Sequence, residues 1–379
     1  MASIDTVAGT KMRITCEKDE LAEKLQLVGR AVSPRTSVQI LAGIMLSARD
    51  GRLSLSATDM EISLRVSLDA QAEEEGAVVV PGRLLVDIVR LLPGDEVTLE
   101  HRADEGVLSV QAGSASYRLH TYDAGDFPRL PEIGADATFT VERRALLDTI
   151  ARVSRSASRD ESRPVLTGIL VRFEGEKVVM AATDSYRLSV KETVLEEAPG
   201  GDLEAIVPAR ALGELARIGQ ATEAASLELG VQENQVVFGV DGVWLTARRI
   251  DGQFPNYKQL LPEAFEAEVD LPRQELLEMV RRVSLMAARR TPLRLRFEPG
   301  ELTISTQTPD VGEARESLPI EYAGDALEIG FNGEFLRDGL ESVAEERVRL
   351  KLISPLRPGL IVGEGEDFLY LIMPIRLAG

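Results

Sequence analysis

Residues Met12–Ser33, MRITCEKDELAEKLQLVGRAVS, return twice in altered form: as Ala137–Ser158, ATFTVERRALLDTIARVSRSAS, and as Ala267–Ala288, AEVDLPRQELLEMVRRVSLMAA. Each copy opens on an alternating stretch and runs into a helical one. Leu21, Leu25 and Val28, then Leu146, Ile150 and Val153, then Leu276, Val280 and Val283, all fall at i, i+4, i+7. That spacing lines one face of an α-helix. From Leu21 to Leu146 is 125 residues, and from Leu146 to Leu276 is 130. Such a period is too long for a solenoid repeat and has the size of a small domain.

Other landmarks recur in the same order. Ala57-Thr58-Asp59 returns as Ala182-Thr183-Asp184. Val80-Pro81-Gly82-Arg83 returns as Val207-Pro208-Ala209-Arg210, each time opening a helix, where proline has no N–H to leave unpaired. Gly125-Asp126-Phe127-Pro128 returns as Gly252-Gln253-Phe254-Pro255, just before each repeat boundary. In the third copy Gly330-Phe331-Asn332-Gly333 stands where the Val-Pro pair is expected. Between the landmarks lie short alternating runs such as Leu53–Ala57, Val107–Gln111 and Leu302–Thr306, with Asp50-Gly51 and Asp241-Gly242 as hairpin turns. Each unit therefore reads as strands, helix, strands, helix, strands. The expected architecture is α+β, with three tandem domains at 11–135, 136–264 and 265–379 after a mobile leader at 1–10.

Of the 379 residues 44% are hydrophobic but only 4% aromatic, so the cores must be aliphatic. A single cysteine, Cys16, precludes an internal disulfide and agrees with a reducing compartment. No apolar run reaches the roughly 18 residues of a membrane span, and Met1–Thr10 lack the charged and apolar regions of a signal peptide. A cytoplasmic protein without a membrane partner is expected.

The net charge of −19 argues, as an average, against a polyanionic partner. Placement matters more than the sum. Arg83 and Arg90 are seven apart on one face of a helix, and Arg210 and Arg217 repeat the pair. Further arginines follow the first helix of each unit: Arg35; Arg152, Arg155, Arg159 and Arg163; Arg281, Arg282, Arg289 and Arg290. Acidic residues gather elsewhere, as in Glu73-Glu74-Glu75 and from Glu263 to Asp270. A sleeve that holds nucleic acid without reading sequence needs only such phosphate-directed charge. Three equivalent domains, doubled by a two-fold, would give six in a ring.

Four motifs, three of them extending landmarks already named, tie these repeats to a family. They are Ala182–Leu188 (ATDSYRL), Asp251–Tyr257 (DGQFPNY), Glu328–Asn332 (EIGFN) and Met373–Leu377 (MPIRL). In this order they resemble the bacterial DNA polymerase III β subunits, the sliding clamps, over about residues 11–377. The resemblance implies a ring-shaped head-to-tail homodimer of clamp domains, helices inside and sheets outside. It implies that the ring encircles double-stranded DNA independently of sequence. The partners implied are the replicative DNA polymerase, the clamp loader and repair proteins, tethered through short peptide motifs.

Carried over by position, the peptide-binding pocket comprises Leu166, Thr183, Ser185, Tyr186, Arg187, Leu188, Pro255, Leu260, Leu371, Ile372, Met373, Pro374, Ile375, Arg376 and Leu377. Aliphatic side chains and a methionine suit an adaptable cleft, with Arg187 and Arg376 placed to fix a peptide's polar groups. Arg35, Arg83, Arg163 and Arg210 are the expected DNA contacts, and Tyr117 and Leu285 the expected dimer-interface anchors. The chain departs from many relatives at Ser185-Tyr186, where Gly-His is common, and at Gln259 and Arg290.

Nothing points to catalysis. His101 and His120 sit in strand-like stretches with no metal-ligand spacing to another donor. No Walker loop occurs, and Gly363-Glu364-Gly365 lacks its strand–helix context. No cofactor and no catalytic residue are expected. The alternatives left open are a scaffold that binds proteins but not DNA, and an enzyme whose site is assembled between domains.

Overall fold

The computed structural model describes residues 11–33, 36–130, 138–196, 203–232, 234–288, 291–365 and 367–377. The element order repeats three times. A strand (Met12–Glu17, Thr138–Glu142, Ala267–Pro272) runs straight into a helix (Lys18–Val28, Arg143–Val153, Arg273–Ser284). Further strands follow, then a second helix (Gly82–Leu91, Ala209–Gln220, Gly333–Ser342) and closing strands.

All three expected apolar stripes are buried. The second helices bury Leu85 and Val89, then Leu212 and Leu215, and leave Arg83, Arg90, Arg210 and Arg217 exposed. Pro81 and Pro208 end the strands that lead into these helices. The third copy replaces the proline entry with a side-chain cap. Asn332 Oδ1 accepts from the Glu334 N–H at 2.9 Å and the Phe335 N–H at 3.1 Å. Such a cap is worth about 1 kcal/mol.

The chain forms two compact units, one of Met1–Thr140 with Arg217–Arg248, the other of Val141–Ala216 with Arg249–Gly379. The middle repeat thus contributes to both. In the first unit, strand Ile62–Asp69 of repeat one pairs antiparallel with Val243–Arg248 of repeat two. In the second, Arg187–Val194 of repeat two pairs with Phe368–Ile372 of repeat three. Two eight-stranded sheets therefore cross the repeat boundaries, and five- and four-stranded sheets complete the set. Both expected hairpin turns are present: Asp50 and Gly51 have φ of 49° and 73°, and Asp241 and Gly242 have φ of 51° and 73°. Positive φ at both positions matches the right-handed twist of the flanking strands.

The Gly-x-Phe-Pro motifs have a packing role. Phe127 is buried against Ala77 and Val79 of strand Gly76–Pro81. Phe254 packs with Tyr257, Leu261 and Phe265 over a cluster of Leu170, Val179, Ala181, Leu188, Val190 and Leu371. Each linker so covers a sheet face that would otherwise expose its alternate residues.

Candidate functional site

The site is built on a turn that occurs twice. In repeat two, Thr183 Oγ1 donates to the Arg187 carbonyl at 2.7 Å, and the Asp184 carboxylate accepts from the Tyr186 and Arg187 N–H groups at 2.9 and 3.0 Å. In repeat one, Thr58 Oγ1 donates to the Ile62 carbonyl at 3.1 Å, and Asp59 accepts from Glu61 and Ile62 at 3.1 and 2.8 Å. The residue after each aspartate has positive φ, 75° at Met60 and 80° at Ser185. The Ala-Thr-Asp motif is therefore a backbone-shaping turn, held by side chains that mimic a further peptide group.

What distinguishes the second turn is Arg187. Only 9% of it is accessible. Its Nη1 donates to Asp338 Oδ2 at 2.6 Å and its Nε to Asp184 Oδ2 at 3.1 Å. Its guanidinium lies 4.3 Å from the centre of the Phe335 ring. Burial works against the cation, but Tyr370 and Asp338 outweigh it and raise its pKa. The guanidinium joins repeats two and three beneath the surface; its polar valence is already engaged, so it positions the turn. Burial likewise raises the Tyr370 phenol, against the opposing pull of Arg187. The Tyr370 hydroxyl donates to the Phe335 carbonyl at 2.7 Å.

Above this network lie the exposed groups. Tyr186 is 61% accessible and stacks on Phe335 with ring centres 6.5 Å apart. The chain's last described segment runs alongside. Leu371 and Ile372 pair with Leu188 and Arg187 across the ladder. The Met373 N–H donates to the Tyr186 carbonyl at 2.9 Å, and the Ile375 N–H to the Gly330 carbonyl at 2.8 Å. Met373 and Arg376 are exposed, while Pro374, Ile375 and Leu377 are half-buried. Pro255 and Leu260 lie exposed on the linker whose Tyr257 is buried with Leu188 and Leu371. Leu166 is buried in the short helix Pro164–Thr167. The structure thus brings residues 183–188 and 371–377 together directly. Phe335, Asp338 and Tyr370 complete the arrangement and were missed in the sequence. Their only signal was an aspartate among apolar positions in the helix 333–342.

Of the arginines read as a cationic face, several are taken up internally. Arg155 reaches Glu341 at 2.5 Å, Arg281 reaches Glu341 at 2.7 Å and Arg282 reaches Glu316 at 2.7 Å. Arg152 donates to the Ser342 carbonyl at 2.8 Å and pairs with Asp148. The expectation that these four form a free phosphate-directed face is corrected accordingly. Arg83 and Arg210 are exposed on their helices. Arg163 pairs with Asp160 at 2.9 Å and donates to Ser185 Oγ at 3.0 Å. Arg35, Arg289 and Arg290 lie outside the described residues. Tyr117 is exposed on the edge strand Ala115–His120, and Leu285 is 82% accessible.

His101 is buried in its strand and His120 is exposed. Among the described residues no cluster of His, Cys, Asp or Glu could hold a metal ion, and no helix is long and apolar enough to cross a membrane.

The repeated strand–helix–strand units and the sheets that cross their boundaries define a protein of three tandem clamp domains. The DNA polymerase III beta subunit models for the N-terminal, central and C-terminal domains match residues 12–131, 140–256 and 258–376. The chain is 37% identical to the beta sliding clamp of Streptomyces coelicolor, over 97% of this chain and all of that one. Its fold is similar to the crystal structure of the Bacillus subtilis sliding clamp, with a TM-score of 0.92 and 27% identity over 97% of this chain and all of that one. A Pseudomonas aeruginosa clamp solved bound to griselimycin is similar at a TM-score of 0.89 and 30% identity, with the same coverage. The chain belongs to the DNA polymerase III beta subunit family, the bacterial sliding clamps. Its members are processivity factors of DNA replication and not enzymes.

Proposed function

We propose that two copies of this chain close head to tail into a cytoplasmic ring around duplex DNA. The observation that carries this reading is the register of exposed arginines on equivalent second helices, Arg83 and Arg90 in one repeat and Arg210 and Arg217 in the next. In a protein of net charge −19, that placement concentrates positive charge where a backbone can be held without reading bases. Arg35 and Arg163 join them as proposed contacts. The repeat boundaries we assign are 11–135, 136–264 and 265–379.

Ring closure needs two complementary edges. Strand Ala115–His120 ends the five-stranded sheet of the first unit, and Gly312–Pro319 ends the four-stranded sheet of the second. Both carry mostly exposed side chains and unpaired backbone groups on one side, which invite pairing with another chain. Tyr117 on the first of these strands and Leu285 of the second unit supply the apolar anchors of that seam.

The turn at 183–188 and the strap at 371–377, flanked by Leu166, Pro255 and Leu260, form the docking site for short peptide motifs of the replicative polymerase, the clamp loader and repair proteins. Exposed Tyr186, Leu260 and Met373 offer apolar contact beside a rigid, ion-paired base. Griselimycin, which a relative binds, is the natural small probe of this site. Negative-stain electron microscopy at micromolar concentration tests the architecture. Flat two-chain rings with an open hole are expected, and compact particles without a hole would overturn the proposal.

A further inference from the structure

We propose that Arg163 is a positioning residue that couples the DNA-facing loop to the peptide-docking turn through Ser185, so that duplex DNA weakens docking. The inference rests on the reading above, in which Arg163 meets phosphate and Ser185 lines the docking site.

The loop 158–167 carries both functions within three residues. Arg163 and Leu166 share one tight turn, in which the Leu166 N–H donates to the Arg163 carbonyl at 3.0 Å. The loop's entry is pinned by the Ser158 N–H donating to the Leu166 carbonyl at 2.8 Å. The Arg163 side chain then divides between two acceptors. Nε donates to Asp160 Oδ2 at 2.9 Å, and Nη1 donates to Ser185 Oγ at 3.0 Å. Asp160 is kept below the usual carboxylate range by the Ser162 hydroxyl and by Arg163 itself, so it stays ionised as a partner. Both side chains of the pair are about half exposed, so the contacts are modest and a phosphate can compete for them.

Ser185 is the sensitive end. At φ 80° it holds a backbone conformation that side chains rarely adopt. Its N–H donates to Thr183 Oγ1 at 3.1 Å, and its hydroxyl receives Arg163. A phosphate that draws Arg163 away removes its bond to that hydroxyl and leaves the docking peptide to order the Ser185 side chain. By linkage a docked peptide weakens the duplex contact by the same factor. The first-repeat copy of the turn has Met60 at this position, which has no hydroxyl to receive such a bond. The coupling is therefore specific to the second turn.

The test is griselimycin binding to the full-length protein by calorimetry, with and without a saturating blunt DNA duplex at low salt, duplex occupancy being followed by anisotropy. In the wild type the duplex is expected to weaken griselimycin about two- to fivefold, the scale of one exposed charge-assisted hydrogen bond. Ser185→Ala and Ser185→Gly should both lose the duplex dependence, whatever their own affinity for griselimycin. The alanine retains the strained backbone and the glycine relieves it, so a loss confined to the glycine variant would assign the effect to strain and overturn the proposal. A wild type that binds both ligands with no mutual effect would overturn the coupling alone. Failure of griselimycin or of the duplex to bind at all would overturn the docking or the DNA reading, and the coupling with it.

Discussion

Arg187 and Asp338, 151 residues apart, meet at 2.6 Å with both side chains nearly inaccessible. The pair ties the Thr183–Leu188 turn of repeat two to the second helix of repeat three, and Phe335 shelters the guanidinium at 4.3 Å. Without Arg187, Asp338 keeps only the more exposed Arg337 at 3.2 Å and Arg155 at 3.6 Å, so the loss is that of a buried charge-assisted hydrogen bond, about 2 kcal/mol, and less than that of a fully uncompensated charge. Arg187→Ala should therefore lower the unfolding free energy measured in urea by that order. A change below about 1 kcal/mol would mean that the pair is not the tie described.

Gly339 lies where Tyr370 presses on the helix, and a Cβ there would stand 2.6 Å from the ring. Tyr370 is fully buried and its hydroxyl is bonded, so it cannot yield cheaply. Gly339→Ala is expected to destabilise the protein by about 1–3 kcal/mol, as overpacking does. A neutral or stabilising result in thermal melts would show that the ring can move.

Cys16 offers a pH readout. Burial first, then Glu20 and Glu17, push its thiol from an ordinary value near 9 up to about 12. The folded state holds this proton more tightly than the unfolded chain. Its contribution to stability is thus full below pH 9 and is lost as pH rises toward 12. At pH 8 a thiolate-selective reagent should label the native protein slowly and the urea-unfolded chain at once. Equal rates would contradict the buried placement.

Arg83 and Arg210 serve the proposed DNA path. Reversing both to glutamate should lower retention on DNA and reduce the slope of log affinity against log salt by about 2, about one for each lost phosphate contact. Folding should be little changed, since both side chains are exposed. An unaltered salt slope would remove these two residues from the path.

Much of the fold was legible because its signals are local. The stripes at Leu21, Leu146 and Leu276 need only helical periodicity, and the Asp-Gly hairpins need only turn chemistry. The site was less so. The Thr183-Asp184 turn could be seen, yet its twin at Thr58-Asp59 shows that the motif encodes backbone shape and not docking by itself. Arg187 read as a ligand for peptide because Asp338 is distant in sequence. Arg155 and Arg281 read as free cations for the same reason, both being bound to Glu341. Pairings across repeats leave no periodic trace, so the sequence shows the charges but not their partners.

The proposed hold on DNA is topological: the protein retains the duplex by surrounding it. The most direct measurement loads the protein onto nicked circular DNA, isolates the complex at high salt and then linearises the DNA with a restriction enzyme. The protein should stay on the circle, where screening has removed ordinary phosphate contacts, and slide off once an end is created. Equal retention before and after cutting would contradict encirclement.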